Sequence, residues 1–156
     1  MEKYQARLVT PFAVLGIVTQ GDKLAAIDFL PLGTPLLPPQ DDSAREVCNQ
    51  LERYLRDPSM HFDLPMALAG TPFQQRVWRI LMDIPSGSTI TYSELAQRTG
   101  SGARAVANAC GANRMPLVIP CHRVVAKHGL GGFMQGRAAA SLSIKQWLLA
   151  HERRRA

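Results

Sequence analysis

Thr91-Tyr92-Ser93-Glu94-Leu95-Ala96-Gln97-Arg98-Thr99-Gly100-Ser101-Gly102-Ala103-Arg104-Ala105-Val106-Ala107-Asn108-Ala109-Cys110-Gly111-Ala112 is the stretch that decides the fold of the C-terminal half. Thr91 is placed to cap a short helix over residues 93–97, because its hydroxyl can accept from an orphan N–H of the first turn. Gly100-Ser101-Gly102 interrupts the chain, and residues 103–112 are dense in alanine, the best helix former. Two helices joined by a short glycine-containing turn make the helix-turn-helix pattern, whose second helix commonly enters a DNA groove. The pattern alone does not establish binding, since many helical hairpins bind nothing. Val106 and Cys110 lie four apart and face the core, and Arg104 is the one long side chain near Gly102, Ala103 and Ala105. Small residues there allow close approach to a flat partner, or simply follow helix propensity. The residue types fit both.

Downstream, the apolar run Met115-Pro116-Leu117-Val118-Ile119 leads into Pro120-Cys121-His122-Arg123 and Val124-Val125. This reads as a short buried strand that delivers a cysteine and a histidine to its exposed end. A thiolate is a strong nucleophile, and a neighbouring imidazole is the usual device for making one at neutral pH. The competing reading is a structural cysteine beside a surface histidine. Upstream, Thr71-Pro72-Phe73 is an N-cap with proline at the first helical position. That helix runs to about Met82, with Phe73, Val77, Trp78 and Leu81 on its buried side, and Ile84-Pro85-Ser86-Gly87 is a turn.

The N-terminal half reads differently. Residues 7–18 and 24–30 are strands around the Gln20-Gly21-Asp22 turn, a hairpin. Residues 31–42 carry Pro31, Pro35, Pro38 and Pro39 and form a loop. Ser43 caps a helix to about Arg56, with Glu46 completing a capping box, and Cys48 is an inert packing residue. Residues 57–70 are irregular and mark a boundary. The expectation is an α/β chain of two domains, residues 1–69 and 70–156.

Charge divides the same way. Residues 1–70 hold six Lys/Arg and nine Asp/Glu, whereas residues 71–156 hold twelve and three. A basic half joined to an acidic half marks a polyanion-binding domain, and nucleic acid is the partner this favours. No run is long enough for a membrane span, and the N-terminus shows no secretory signal. Three cysteines without a C-x-x-C pattern, and four histidines without zinc-site spacing, point to a reducing compartment. The expected protein is cytoplasmic and needs neither metal nor cofactor.

Several blocks occur in one order: Phe73-Gln74-Gln75-Arg76-Val77-Trp78, Thr91-Tyr92-Ser93-Glu94-Leu95-Ala96, Ala103-Arg104-Ala105-Val106, Asn113 and Pro120-Cys121-His122-Arg123-Val124. With Lys145-Gln146-Trp147-Leu148-Leu149 and Glu152, they resemble the O6-alkylguanine-DNA alkyltransferases over about residues 70–152. The resemblance implies a small ribonuclease-H-like sheet-plus-helix supporting domain, then a mainly helical, winged-helix-like domain that binds DNA and transfers alkyl groups. It implies direct damage reversal. Cys121 takes the alkyl group irreversibly from O6-alkylguanine, or from O4-alkylthymine, in duplex DNA. Adjacent residues of an extended segment point apart, so His122 would not take the proton directly. The family's answer is a water relay in which Glu152 orients His122 and His122 activates Cys121.

Other roles come from the same resemblance. Tyr92 donates to the purine ring and helps rotate the nucleotide out. Arg104 fills the vacated stack from the minor groove, with Gly102, Ala103, Ala105 and Arg114 beside it on the DNA. Asn113 fixes the turn between the recognition helix and the active-site strand. Cys110, Pro116, Gly132, Phe133, Met134 and Gln135 line the base pocket. The pocket loop departs from the family pattern: a tyrosine hydroxyl is missing from Gly131-Gly132-Phe133, and extra residues around 137–141 predict a longer, more adaptable lid. The implied protein is a monomer on DNA, with cooperative clustering left open. Two alternatives stand beside this reading: a lesion binder without transfer, against which Cys121 speaks, and a Cys-His hydrolase, which would leave the basic helix-turn-helix without a purpose.

Overall fold

In the computed structural model, residues 2–133 and 141–153 are described. They form a mixed α/β protein that divides into two compact units, Met1–Leu68 and Ala69–Ala156.

In the N-terminal unit, strands β1 (Ala6–Val9), β2 (Val14–Gln20) and β3 (Lys23–Leu30) form one antiparallel sheet in chain order. The expected two-strand hairpin is therefore corrected to three strands. Residues 7–18 break at Thr10, whose hydroxyl accepts from the Phe12 and Ala13 N–H groups and donates to the Ala13 carbonyl at 2.7 Å. This local bonding supplies what the strand ladder would have supplied, and the chain reverses. Helix α1 (Asp42–Arg56) packs on the sheet. Its cap is Asp41, not Ser43: Asp41 Oδ1 accepts from the Ala44 N–H at 2.7 Å, and Oδ2 accepts from the Thr19 hydroxyl at 2.7 Å. That second bond ties the helix start to β2, while the Ser43 hydroxyl donates to the Gly21 carbonyl. Glu46 makes no capping box and accepts from Gln50 instead.

In the C-terminal unit, helix α2 (Pro72–Met82) starts with a full capping box between Thr71 and Gln74. Val77, Trp78 and Leu81 are buried, and the Trp78 indole N–H donates to the Ala109 carbonyl at 2.9 Å. Phe73 is only partly covered, with the Arg76 guanidinium 5.6 Å from its ring centre. Helix α3 (Tyr92–Thr99) begins at the Thr91–Glu94 capping box and ends at Gly100 in the left-handed region (φ 65°). It is longer at its C-terminal end than residues 93–97, because the Thr99 hydroxyl returns to the Leu95 and Ala96 carbonyls. Helix α4 (Ala103–Gly111) follows, capped by the Gly102 backbone without a side-chain bond.

The largest correction lies after α4. Residues 115–119 are a tight bend rather than a strand, with a bridge between Pro116 and Ile119 and with Leu117 at φ 76°. Cys121–Arg123 forms a single turn of 3-10 helix, followed by β5 (Val124–Val125), which pairs in parallel with β4 (Ile90–Thr91). The apolar run is buried from all sides, and periodicity alone cannot tell such a run from a strand. Helix α5 (Ser141–Arg153) then brings Lys145 and Glu152 to the turn. No helix among the described residues is long and apolar enough to cross a membrane.

Candidate active site

Asn113 builds the platform for the nucleophile. It is fully buried; its Nδ2 donates to the Ile119 carbonyl and its Oδ1 accepts from the Met115 N–H, both at 2.9 Å. The bend is thus pinned at both ends, and Cys121 follows with its N–H donating to the Ile119 carbonyl at 2.8 Å. Contrary to the expected exposed strand end, Cys121 is 4% exposed and His122 is 0% exposed. None of the chain's three cysteines is in a disulfide.

Cys121 opens onto a cavity of about 270 Å³, at the small end for a binding pocket. Tyr92 of α3, Ala107, Asn108, Cys110 and Gly111 of α4, and Gly132 and Phe133 form the rest of its wall. Of the residues expected there, Tyr92, Cys110, Gly132 and Phe133 line it. Pro116 does not: it is held in the bend by its bridge to Ile119. Met134, Gln135 and the added residues 137–140 lie outside the described residues. Burial pushes the Cys110 thiol up to about 12 and the Tyr92 phenol up to about 12, so both are neutral donors at neutral pH. The Tyr92 hydroxyl donates to the Gly132 carbonyl at 3.4 Å.

Behind Cys121 sits a buried charge cluster. His122 Nε2 and Glu152 Oε2 are 2.6 Å apart. Arg123 grips the same carboxylate with both arms of its fork, Nε to Oε1 at 2.9 Å and Nη2 to Oε2 at 3.0 Å, and Nη1 donates to the Ile84 carbonyl at 2.6 Å. Burial pushes Glu152 up, but the bonds from His122 and then Arg123 outweigh it and hold the carboxyl well below its usual range. Burial pushes His122 below its ordinary value of 6.5, against the pull of Glu152. The stable arrangement is an ionised Glu152 accepting from the Nε2–H of a neutral imidazole. His122 Nδ1 then carries a lone pair, and it is buried without a hydrogen-bond partner among the described residues.

Lys145 is fully buried too. Its ammonium donates to the carbonyls of Val124 (2.8 Å), Leu130 (2.5 Å) and Gly132 (2.7 Å), and burial pushes it down to about 8. It fastens the pocket wall to β5. Arg104, Gly102 and Ala103 are exposed at the start of α4, Ala105 is partly exposed, and Arg114 is exposed just beyond the helix. The opposite face of α4 buries Val106, Ala109 and Cys110. No cluster of three His, Cys, Asp or Glu side chains suited to a metal occurs among the described residues.

Residues 72–154, just over half of the chain, match the family model described as 6-O-methylguanine DNA methyltransferase, DNA binding domain. The chain belongs to this methyltransferase family. It is 42% identical over 114 residues to a methylated-DNA–protein-cysteine methyltransferase of Methanosarcina mazei, covering 71% of this chain and 69% of the relative. To the Candida albicans methyltransferase it is 41% identical over 112 residues, 69% of this chain and 61% of that one. The crystal structure of the Mycobacterium tuberculosis O6-methylguanine methyltransferase superposes with a TM-score of 0.81 at 31% identity, covering 96% of this chain and 92% of that one. A second structure of that protein, in complex with DNA, matches equally well.

For a member of the methyltransferase family, two residues that hold this site together escape a reading of the sequence. Arg123 and Lys145 lie inside the family's motifs, where neither residue type announces its partners. The signal for Lys145 was its position: Ile144, Lys145, Leu148, Leu149 and Glu152 share the buried side of α5, so a cation there needs acceptors. Arg123 gave a weaker sign, as a long cation between a histidine and two valines.

Proposed function

We propose that this chain repairs DNA by direct reversal, moving the alkyl group of O6-alkylguanine, and of O4-alkylthymine, onto Cys121 once per molecule. One observation carries the reading: next to the pocket-lining Cys121 stands a buried histidine whose Nε2 is locked onto Glu152, while its Nδ1 is left with a lone pair. His122 Nδ1 takes the thiol proton through the water relay that the family resemblance implies. The sulfur pair then forms the S–C bond as the C–O6 bond breaks. The bonding electrons go to the purine, which recovers its proton and leaves as guanine. Tyr92, neutral and lining the pocket, is the donor for charge developing on the ring, its proton turning from the long 3.4 Å bond to the Gly132 carbonyl. Nothing in this scheme reverses a thioether, so each molecule acts once.

A base within a duplex cannot reach a nearly buried sulfur, so the nucleotide must leave the stack. Exposed Arg104 at the start of α4 supports its assignment as the side chain that enters the gap from the minor groove. Gly102, Ala103 and Ala105 supply a low surface suited to that groove, and Arg114 reaches the backbone. The C-terminal unit is read as winged-helix-like, on α3, α4 and the β4–β5 pair. The N-terminal unit is read as a ribonuclease-H-like support, on three antiparallel strands followed by a helix. The chain acts on DNA as a cytoplasmic monomer.

The test is intact-mass spectrometry after incubation with a duplex carrying O6-methylguanine, followed by peptide mapping. One added methyl group on Cys121, absent in Cys121→Ala, is the expected result. An unchanged mass with the duplex still bound would make the chain a lesion binder instead.

A further inference from the structure

The cluster behind Cys121 contains one more charge than a His–Glu relay needs. A lone buried carboxylate would draw a proton onto its histidine, because an imidazolium beside it relieves an uncompensated charge. An imidazole that is already protonated cannot accept the thiol proton. Arg123 changes that balance. Its fork meets both carboxylate oxygens, at 2.9 and 3.0 Å, in the bidentate geometry that gives charge-assisted bonds their strength and direction. One of those oxygens, Oε2, is the atom that faces His122 Nε2. The remaining arm is spent on the Ile84 carbonyl, in the turn between α2 and β4. The guanidinium is thus pinned to the C-terminal unit's framework independently of the carboxylate it serves.

We propose that Arg123 is a positioning residue of the transfer reaction: it aims the Glu152 carboxylate and balances its charge, so that His122 rests neutral with Nδ1 ready to take a proton. The inference rests on the transfer reading above. The charged groups that face His122 are Glu152 from α5, Arg123 from its own turn, and Lys145 from α5. Glu152 favours the imidazolium, while the two cations oppose it. Of the two cations, Arg123 bonds the carboxylate itself; Lys145 is spent on three backbone carbonyls. Removing the Arg123 charge tips the balance towards Glu152 and makes His122 more basic.

Two variants separate charge from geometry. Arg123→Met removes both; Arg123→Lys keeps a cation but loses the fork, since an ammonium is a point charge. Single-turnover methyl transfer from duplex O6-methylguanine is followed across pH, and the His122 ring is titrated by NMR on the same samples. For Arg123→Met, the acid limb of the rate profile and the His122 titration both move to higher pH by about one unit. Within the limb this is about a tenfold loss of rate, because a tenth as much neutral imidazole is present. For Arg123→Lys, the limb and the titration stay in place while the rate falls at every pH. If Arg123→Met does not fold by circular dichroism, Arg123→Lys decides: a wild-type rate throughout, or a shifted His122 titration, overturns the proposal. A folded Arg123→Met with an unmoved titration overturns it as well. Wild-type protein that transfers no methyl group would defeat the transfer reading, while the NMR titration would still judge the charge balance.

Discussion

Asn113→Ala is the perturbation whose cost can be worked most directly from the structure. The change leaves the Met115 N–H and the Ile119 carbonyl without the amide partners they hold at 2.9 Å, in a fully buried site. The Met115 N–H is orphaned, at about 1–3 kcal/mol, whereas the Ile119 carbonyl keeps the Cys121 N–H and loses one bond worth about 0.5–1.5 kcal/mol, so the change costs ~1.5–4.5 kcal/mol. A domain has only about 5–15 kcal/mol to lose. The chain's two tryptophans, Trp78 and Trp147, both lie in the C-terminal unit, so tryptophan fluorescence in urea reports that unit alone. At a slope of roughly 1–3 kcal/mol per molar, a loss near 3 kcal/mol lowers the midpoint by about 1–3 M. Leu117, held at φ 76° inside the same bend, adds a second effect. A left-handed leucine stores roughly 1–3 kcal/mol, and a loosened clamp lets it relax and displace Cys121. The methyl-transfer rate therefore falls by more than the unfolded fraction explains. Asn113→Asp is no better, because it sets a carboxylate oxygen against the Ile119 carbonyl. A midpoint within about 0.3 M of wild type, together with a wild-type rate, would refute the clamp.

Three further outcomes are expected. Gly131→Ala slows transfer, since φ 72° disfavours any side chain and a Cβ would lie 2.7 Å from Tyr92 Cε2; a wild-type single-turnover rate would count against a fixed Tyr92. Arg104→Ala weakens repair of duplex DNA far more than reaction with free O6-alkylguanine, and equal losses on the two substrates would deny it a role in extrusion. Acid destabilises the C-terminal unit in two steps. His122 and Glu152 both bind protons less readily when folded than their ordinary values of 6.5 and 4.5 allow, His122 because of burial and Glu152 because its bonds outweigh burial. Their contribution is therefore complete above about pH 6.5; the His122 part erodes from 6.5 downward and the Glu152 part from 4.5 downward, each until its lower folded-state value is passed. Urea midpoints that stay flat from about pH 7 to 4 would contradict this.

Local chemistry made part of the fold legible. Thr71-Pro72 and Thr91 announce helix starts because cap and partner sit three residues apart, and the capping boxes at Gln74 and Glu94 complete them. Where two candidates compete locally, tertiary contacts choose. Ser43 and Asp41 are both good caps, and the Thr19 hydroxyl on a strand decides for Asp41. The bend at residues 113–119 was illegible as a shape, because an apolar run buried on all sides has no period to read. In the site, the resemblance named Cys121, His122 and Glu152, whereas the partners of Arg123 and Lys145 lie far away in sequence. Glu152 is 29 positions from Arg123, and Val124 is 21 from Lys145. No spacing rule reaches that far.

The Lys145 anchor has a consequence for how this protein can vary. An ammonium that grips only carbonyl oxygens of Leu130 and Gly132 is blind to the side chains there, because every amino acid offers the same oxygen. The segment beyond can then lengthen or change composition without unfastening the wall of the cavity. A single lysine thus uncouples the history of the loop from the upkeep of the nucleophile.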